Sequence, residues 1–222
     1  MEKLKKDYTI LYKLQDEILS LVKSLDNDFY LTGGTALHRF YFDFRYSDDL
    51  DFFVSNANSI NEEFNEIIDI LHEKNYTIKI QINARDMKRI FINDILQVDF
   101  VNDRVYREGK SNYLDGVRVD NLYNILANKL SALYDREEPK DIFDILSISQ
   151  NTFFDWKDIL KIYDKKATFD KDYLIAKVKF ISEHLDIFDS IQKTDSKNII
   201  INKEIILKLL NDMNNEMLNS LN

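Results

Sequence analysis

Leu31-Thr32-Gly33-Gly34-Thr35-Ala36-Leu37, followed by Arg45-Tyr46-Ser47-Asp48-Asp49-Leu50-Asp51-Phe52, is the stretch on which the fold turns. Asp28 to Thr32 is a short apolar run that ends at a glycine pair, the pattern of a buried strand entering a tight turn. Thr35 to Phe42 then reads as helix. Two of the four glycines in the chain sit together at Gly33-Gly34. Glycine lets the backbone approach a ligand closely. The first turn of the helix that follows presents N–H groups suited to phosphate. Alone, such a pair is more often plain punctuation of the chain.

The aspartates change that weighting. Asp49 and Asp51 lie two apart in a strand-like run, so both side chains leave one face. Two carboxylates on one face repel, and a hard divalent cation between them, Mg²⁺ or Mn²⁺, relieves the repulsion. The competing explanation is a solvated strand edge, which the bulk of Leu50, Phe52 and Phe53 argues against. Asp48 makes the run ambiguous, and period-two spacing favours Asp49 with Asp51. Asp99 sits in Leu96-Gln97-Val98-Asp99-Phe100-Val101, central in an apolar strand. A neighbouring strand that brought it beside Asp49 and Asp51 would complete a carboxylate triad able to hold two metal ions for phosphoryl or nucleotidyl transfer. The alternative for Asp99 is a buried salt bridge to an Arg or Lys.

Outward from this stretch, apolar spacing predicts helices over 8–25 and 60–74 and strands over 50–54, 76–82, 88–92 and 96–101. Asn93-Asp94 suits a hairpin turn. Residues 116–119 read as one more short strand. Beyond Asp120, read as a helix cap, the pattern is helical: a segment carrying Leu122 to Leu133, then 140–149 behind Pro139, 155–164, 171–185 and 203–221. The expected class is therefore α+β: an N-terminal mixed sheet with flanking helices over 1–115, followed by a C-terminal helical domain over 116–222.

Composition bounds the chemistry. The 222 residues include no cysteine, which excludes disulfide scaffolds, thiolate metal sites and a cysteine nucleophile. His38, His72 and His184 are too scattered for a zinc site. No apolar stretch approaches the ~18 residues a membrane helix needs, and the first residues show no secretory pattern. The expected location is the cytoplasm, with no membrane partner. A net charge of −9 weighs against a strongly basic nucleic-acid surface.

Gly33-Gly34, Asp49-x-Asp51 and Asp99 together resemble the signature of polymerase-β-type nucleotidyltransferases. The more specific resemblance is to the AbiEii/AbiGii toxin group of bacterial abortive-infection and toxin–antitoxin systems, which are linked to phage defence. It rests on Gly33-Gly34-Thr35-Ala36-Leu37, on Arg45-x-Ser47-x-Asp49-Leu50-Asp51, and on Asn128-Lys129-Leu130-x-Ala132-Leu133-x-x-Arg136 followed by Lys140-Asp141-x-x-Asp144. These motifs span about residues 30–146. The resemblance implies an Mg²⁺- or Mn²⁺-dependent nucleotidyltransferase that moves a nucleotide from a nucleoside triphosphate to an RNA acceptor such as tRNA. It also implies a cognate antitoxin. Asp49, Asp51 and Asp99 would bind metal, and Gly33, Gly34 and Thr35 would cradle phosphates.

The remaining motif residues carry two readings each. Lys129, Leu133 and Arg136 share one helical side. Lys129 in the cleft would bind triphosphate or neutralise developing charge. Asp141 would orient Lys129 or Arg136, or act near the acceptor. The bland alternative is a salt-bridge lattice on a polar helix face, and it is preferred for Arg136, Lys140 and Asp144. The Ser47 hydroxyl would contact phosphate or acceptor. Arg45 would sit on phosphate or anchor its loop to Asp43 or Asp48. Two other functions stay open: transfer to a small cationic acceptor such as an aminoglycoside, and a nucleotide-binding partner module without catalysis.

Overall fold

The computed structural model describes residues 7–136, 138–181, 183–193 and 199–222. Its chain divides into two compact units that interleave along the sequence. The first comprises Met1–Ala36, Ser47–Arg104 and Ser111–Asp120; the second comprises Leu37–Tyr46, Val105–Lys110 and Asn121–Asn222.

A seven-stranded mixed sheet organises the first unit. In chain order its elements are α1 (Tyr8–Ser24), β1 (Tyr30–Thr32), the single-turn α2 (Gly33–Ala36), β2 (Leu50–Ser55), α3 (Asn61–Glu73), β3 (Ile78–Asn83), β4 (Met87–Ile92), β5 (Leu96–Asp103), β6 (Asn112–Leu114) and β7 (Val117–Val119). The strand order is β3-β4-β5-β2-β1-β7-β6. β2 runs parallel to β5, and β1 parallel to β7; the other pairings are antiparallel. Asn93 and Asp94 both adopt left-handed backbone, and Ile95 N–H donates to the Ile92 carbonyl, closing the tight β4–β5 hairpin.

Period-two alternation separates the two faces of this sheet. Leu50, Phe52 and Val54 on β2 are buried, and so are Val98 and Phe100 on β5. Phe52 stacks on Phe100 at 5.5 Å, and Phe29 and Phe64 meet the Phe100 ring edge to face. Residues of the opposite parity, Asp51 and Asp99 among them, leave from the other face. The strand β6 was not anticipated: Asn112-Tyr113-Leu114 carries no apolar alternation and pairs only at the sheet edge.

The second unit is helical. It holds a π-turn (Leu37–Tyr41), α4 (Leu122–Asp135), α5 (Pro139–Ser149), α6 (Trp156–Lys166), α7 (Lys171–Ile181), a 3₁₀ turn (Leu185–Ser190) and α8 (Lys203–Asn214). Its core includes Leu130, Phe143, Leu146, Trp156, Leu174 and Leu209, all fully buried. Three local expectations change. The cap of α4 is Asn121, whose side chain accepts from Asn124 N–H at 3.0 Å; Asp120 instead accepts from the Thr32 hydroxyl at 3.0 Å. The helix expected over 35–42 is one α turn and then a π turn. The last helix ends at Asn214 rather than 221, because the chain turns back so that Trp156 N–H donates to Met217 O and Asn219 N–H to Phe154 O.

Candidate active site

Strand register builds the acidic cluster of the first unit. Asp51 on β2 is the Cα partner of Asp99 on β5, and Asp99 is the partner of Arg89 on β4. Thr32 on β1 faces Asp51 from the other side. Arg89, Asp99, Asp51 and Thr32 therefore form one row across four adjacent strands, on the face opposite the phenylalanines. Asp49 lies just before β2, near enough for its charge to act on Arg89.

The glycine turn is built against this row. Gly33 has φ +71°, a conformation that favours glycine. A Cβ there would stand 2.3 Å from Asp51 Oδ2, so the missing side chain is what lets the turn and the carboxylate meet. Gly34 is buried beside it. Thr35 is also buried, and its hydroxyl donates to the Asp49 carbonyl, tying the turn to the start of β2. Ser47 is buried; its N–H donates to the Tyr12 hydroxyl and its carbonyl accepts from Gln15 Nε2 at 3.0 Å.

Asp99 takes the salt bridge weighed as its alternative. Arg89 Nε donates to Oδ1 at 2.7 Å and Arg89 NH2 to Oδ2 at 2.6 Å, so both carboxylate oxygens are engaged. Arg89 carried no motif signal. The hairpin register was the available clue, because it sets residue 89 opposite residue 99. The guanidinium is held more firmly protonated than usual, first by this hydrogen bond and then, against partial burial, by the charges of Asp99, Asp49 and Asp51. All three acids thus act on one cation. Among the described residues no three His, Cys, Asp or Glu side chains are arranged to share a metal ion. The donor chemistry still fits one: carboxylate oxygens on one face suit a hard divalent cation. Asp49, Asp51 and Asp99 carry oxygens of that kind.

The second unit holds a separate charged network. Arg45, expected on phosphate or against Asp43 or Asp48, is buried and reaches Asp144, with Nε to Oδ1 and NH2 to Oδ2 both at 2.7 Å. Lys129 bridges two acids, reaching Asp144 Oδ2 at 2.7 Å and Asp141 Oδ1 at 3.0 Å. Arg136 closes on Asp141 through Nε at 2.8 Å. Asp141 therefore orients both Lys129 and Arg136. Asp141 and Asp144 are fully buried, and Arg45, Lys129 and His38 around them are buried too, so the network is interior except at Arg136, which reaches Asp141 from the surface. Burial opposes the charge on Asp144, yet Arg45 and Lys129 outweigh it and hold the carboxyl well below its usual range. His38 Nε2–H donates to Asp144 Oδ1 at 2.7 Å. Burial lowers the His38 pKa against the pull of Asp144, with Arg45 and Lys129 adding to the lowering. Its buried Nδ1 has no hydrogen-bond partner, as suits a neutral ring.

A sequence-family profile described as nucleotidyl transferase AbiEii toxin, type IV toxin–antitoxin system, matches residues 19–203. The chain belongs to this family. An uncharacterized protein of Aquifex aeolicus, aq_aa25, is 30% identical over 178 residues, covering 75% of this chain and 77% of the relative. Two solved Helicobacter pylori structures share the fold. JHP933 aligns with a TM-score of 0.55 at 22% identity, over 96% of this chain and 92% of its own. A second protein, described as a candidate nucleotidyltransferase, aligns with a TM-score of 0.57 at 22% identity, over 95% of each chain. The AbiEii profile takes in both the Gly33-Gly34 and aspartate stretch and the Lys129 to Asp144 segment.

Proposed function

We propose that this AbiEii-family chain is a divalent-cation-dependent nucleotidyltransferase toxin that transfers a nucleotide from a nucleoside triphosphate to an RNA acceptor, with tRNA the first candidate. The observation that carries the reading is the in-register pair Asp51 and Asp99 with Gly33 seated against Asp51. Asp49 and Asp51 would hold the cation, and Asp99 would complete the set. Gly33, Gly34 and Thr35 would cradle phosphates through the backbone of the turn, and Thr35 keeps Asp49 in place through its carbonyl. When bound, the cation would screen the triphosphate and stabilise charge as pyrophosphate leaves. The acceptor hydroxyl oxygen would form the new bond to the α-phosphorus and give up its proton to a carboxylate such as Asp99 or to water, as the α–β phosphoanhydride bond breaks and pyrophosphate leaves.

The acidic balance, −9 overall, shapes the partner expectation. RNA affinity usually comes from neutralising phosphates with Lys and Arg, so RNA must be held by a local patch and bound cation. Family membership supports a cognate antitoxin as partner. The test is incubation with radiolabelled nucleoside triphosphates, Mg²⁺ and total RNA. Labelled tRNA is expected, and Asp51→Ala is expected to lower labelling by at least about 10³-fold, the scale of losing a charge-stabilising group. Full labelling by Asp51→Ala overturns the cation assignment. Labelled aminoglycoside with unlabelled RNA moves the acceptor to the small-molecule class. Growth arrest on expression that Asp51→Ala relieves marks an enzymatic toxin; arrest that persists marks a binding module.

A further inference from the structure

We infer that Arg89 is the built-in counter-cation of the acidic row, and that a divalent cation gains Asp99 only by displacing it. The inference rests on the cation reading of Asp49, Asp51 and Asp99 proposed above.

The geometry is that of a closed competitor. Arg89 fills both oxygens of Asp99 in a two-point fork, the strong form of an arginine–carboxylate pair. An Asp99 so engaged has weakened capacity for a cation, and the positive charge beside it repels one. The two partners differ in freedom. Asp99 is 8% exposed at its side chain and sits on a central strand between β2 and β4, so it stays where it is. Arg89 is 30% exposed and hangs on a flexible stem, so it is the member that can leave. Arg89 is thus a positioning residue. It keeps Asp99 oriented before a cation binds, and makes cation entry depend on breaking one ion pair.

The test is Mn²⁺ binding to the full chain without nucleotide, read from the electron paramagnetic resonance signal of unbound Mn²⁺. Arg89→Gln is expected to tighten Mn²⁺ binding about tenfold, the scale of a charged hydrogen bond. In an Asp99→Asn background the same substitution is expected to change affinity by less than about twofold, because its target is gone. Arg89→Lys keeps the charge, loses the fork and serves if Arg89→Gln does not fold; about threefold tightening is expected. No tightening in either variant, with Asp51→Asn still weakening binding, overturns the inference alone. Equal tightening with and without Asp99 also overturns it, since Arg89 would then act only through general charge. Equal Mn²⁺ affinity in the wild type and Asp51→Asn overturns the cation reading itself, and the inference with it.

Discussion

Gly33 occupies a position where backbone conformation and side-chain chemistry make the same demand. Its φ of +71° disfavours any L side chain, and the space a Cβ would fill belongs to Asp51 Oδ2. Gly33→Ala therefore strains the turn and pushes the carboxylate out of its row. The expected outcome is a loss of about 1–3 kcal/mol in stability by chemical denaturation, and a larger proportional loss of nucleotidyl transfer than of stability. Transfer that survives at wild-type level while stability falls would separate the turn from the chemistry. Thr35 is subtler. Its hydroxyl donates to the Asp49 carbonyl, so Thr35→Val is expected to act through the placement of Asp49, weakening Mn²⁺ binding without removing a ligand.

At the scale of elements, α4 and α5 are joined by charge as well as by apolar packing. Lys129 and Arg136 from α4 and its C-cap close on Asp141, and Lys129 reaches on to Asp144. Asp144 carries three partners, His38, Arg45 and Lys129, in a fully buried position. Removing a buried charge strands its partners, which is costlier than the net worth of the pair. Asp144→Asn is expected to cost about 3–5 kcal/mol, a fall in Tm on the order of 10 °C by calorimetry. The pH dependence has a definite sign. The folded pKa of His38 lies below its ordinary 6.5, so the unfolded chain binds the proton more readily. Stability from this group is complete above about 6.5 and is lost as pH falls towards the folded value. Asp144, also depressed, adds a second loss as pH falls below its ordinary 3.8. Thermal melts from pH 8 to 5 should show a decline in the wild type that His38→Gln flattens. An unchanged slope would place the titration elsewhere.

At the scale of the molecule, the charge balance sets how the proposed RNA acceptor could be approached. With pI near 4.9, long-range attraction to a polyanion is weak. Filter binding of tRNA at about 0.15 M salt, where charges are screened beyond ~8 Å, is expected to be feeble without divalent cation and clearly stronger with Mg²⁺. Tight binding without Mg²⁺ and a steep salt dependence would point to a basic patch working independently of the acids. No helix among the described residues is long and apolar enough to cross a membrane.

The local chemistry was largely legible in the residues themselves. Alternation put Asp51 and the phenylalanine Phe52 of β2 on opposite faces, a central Asp99 demanded a partner, and Asn93-Asp94 marked the hairpin, because side-chain period and turn conformation are short-range properties. The helical character beyond residue 120 followed from apolar spacing in the same way. Tertiary structure alone decided who met whom. For Asp99 the residues offered metal or salt bridge; the local β4–β5 hairpin set Arg89 opposite it, and the packing of β2 against β5 added Asp51. Arg45 had two local candidates and reaches Asp144, 99 residues away. Asp120 had the composition of a cap and went to Thr32 on another strand. In each case several partners satisfy a charge or donor equally well in isolation. What chooses among them is which backbones the sheet pairing and helix packing bring within about 3 Å, and that is a property of the whole chain rather than of any stretch of it.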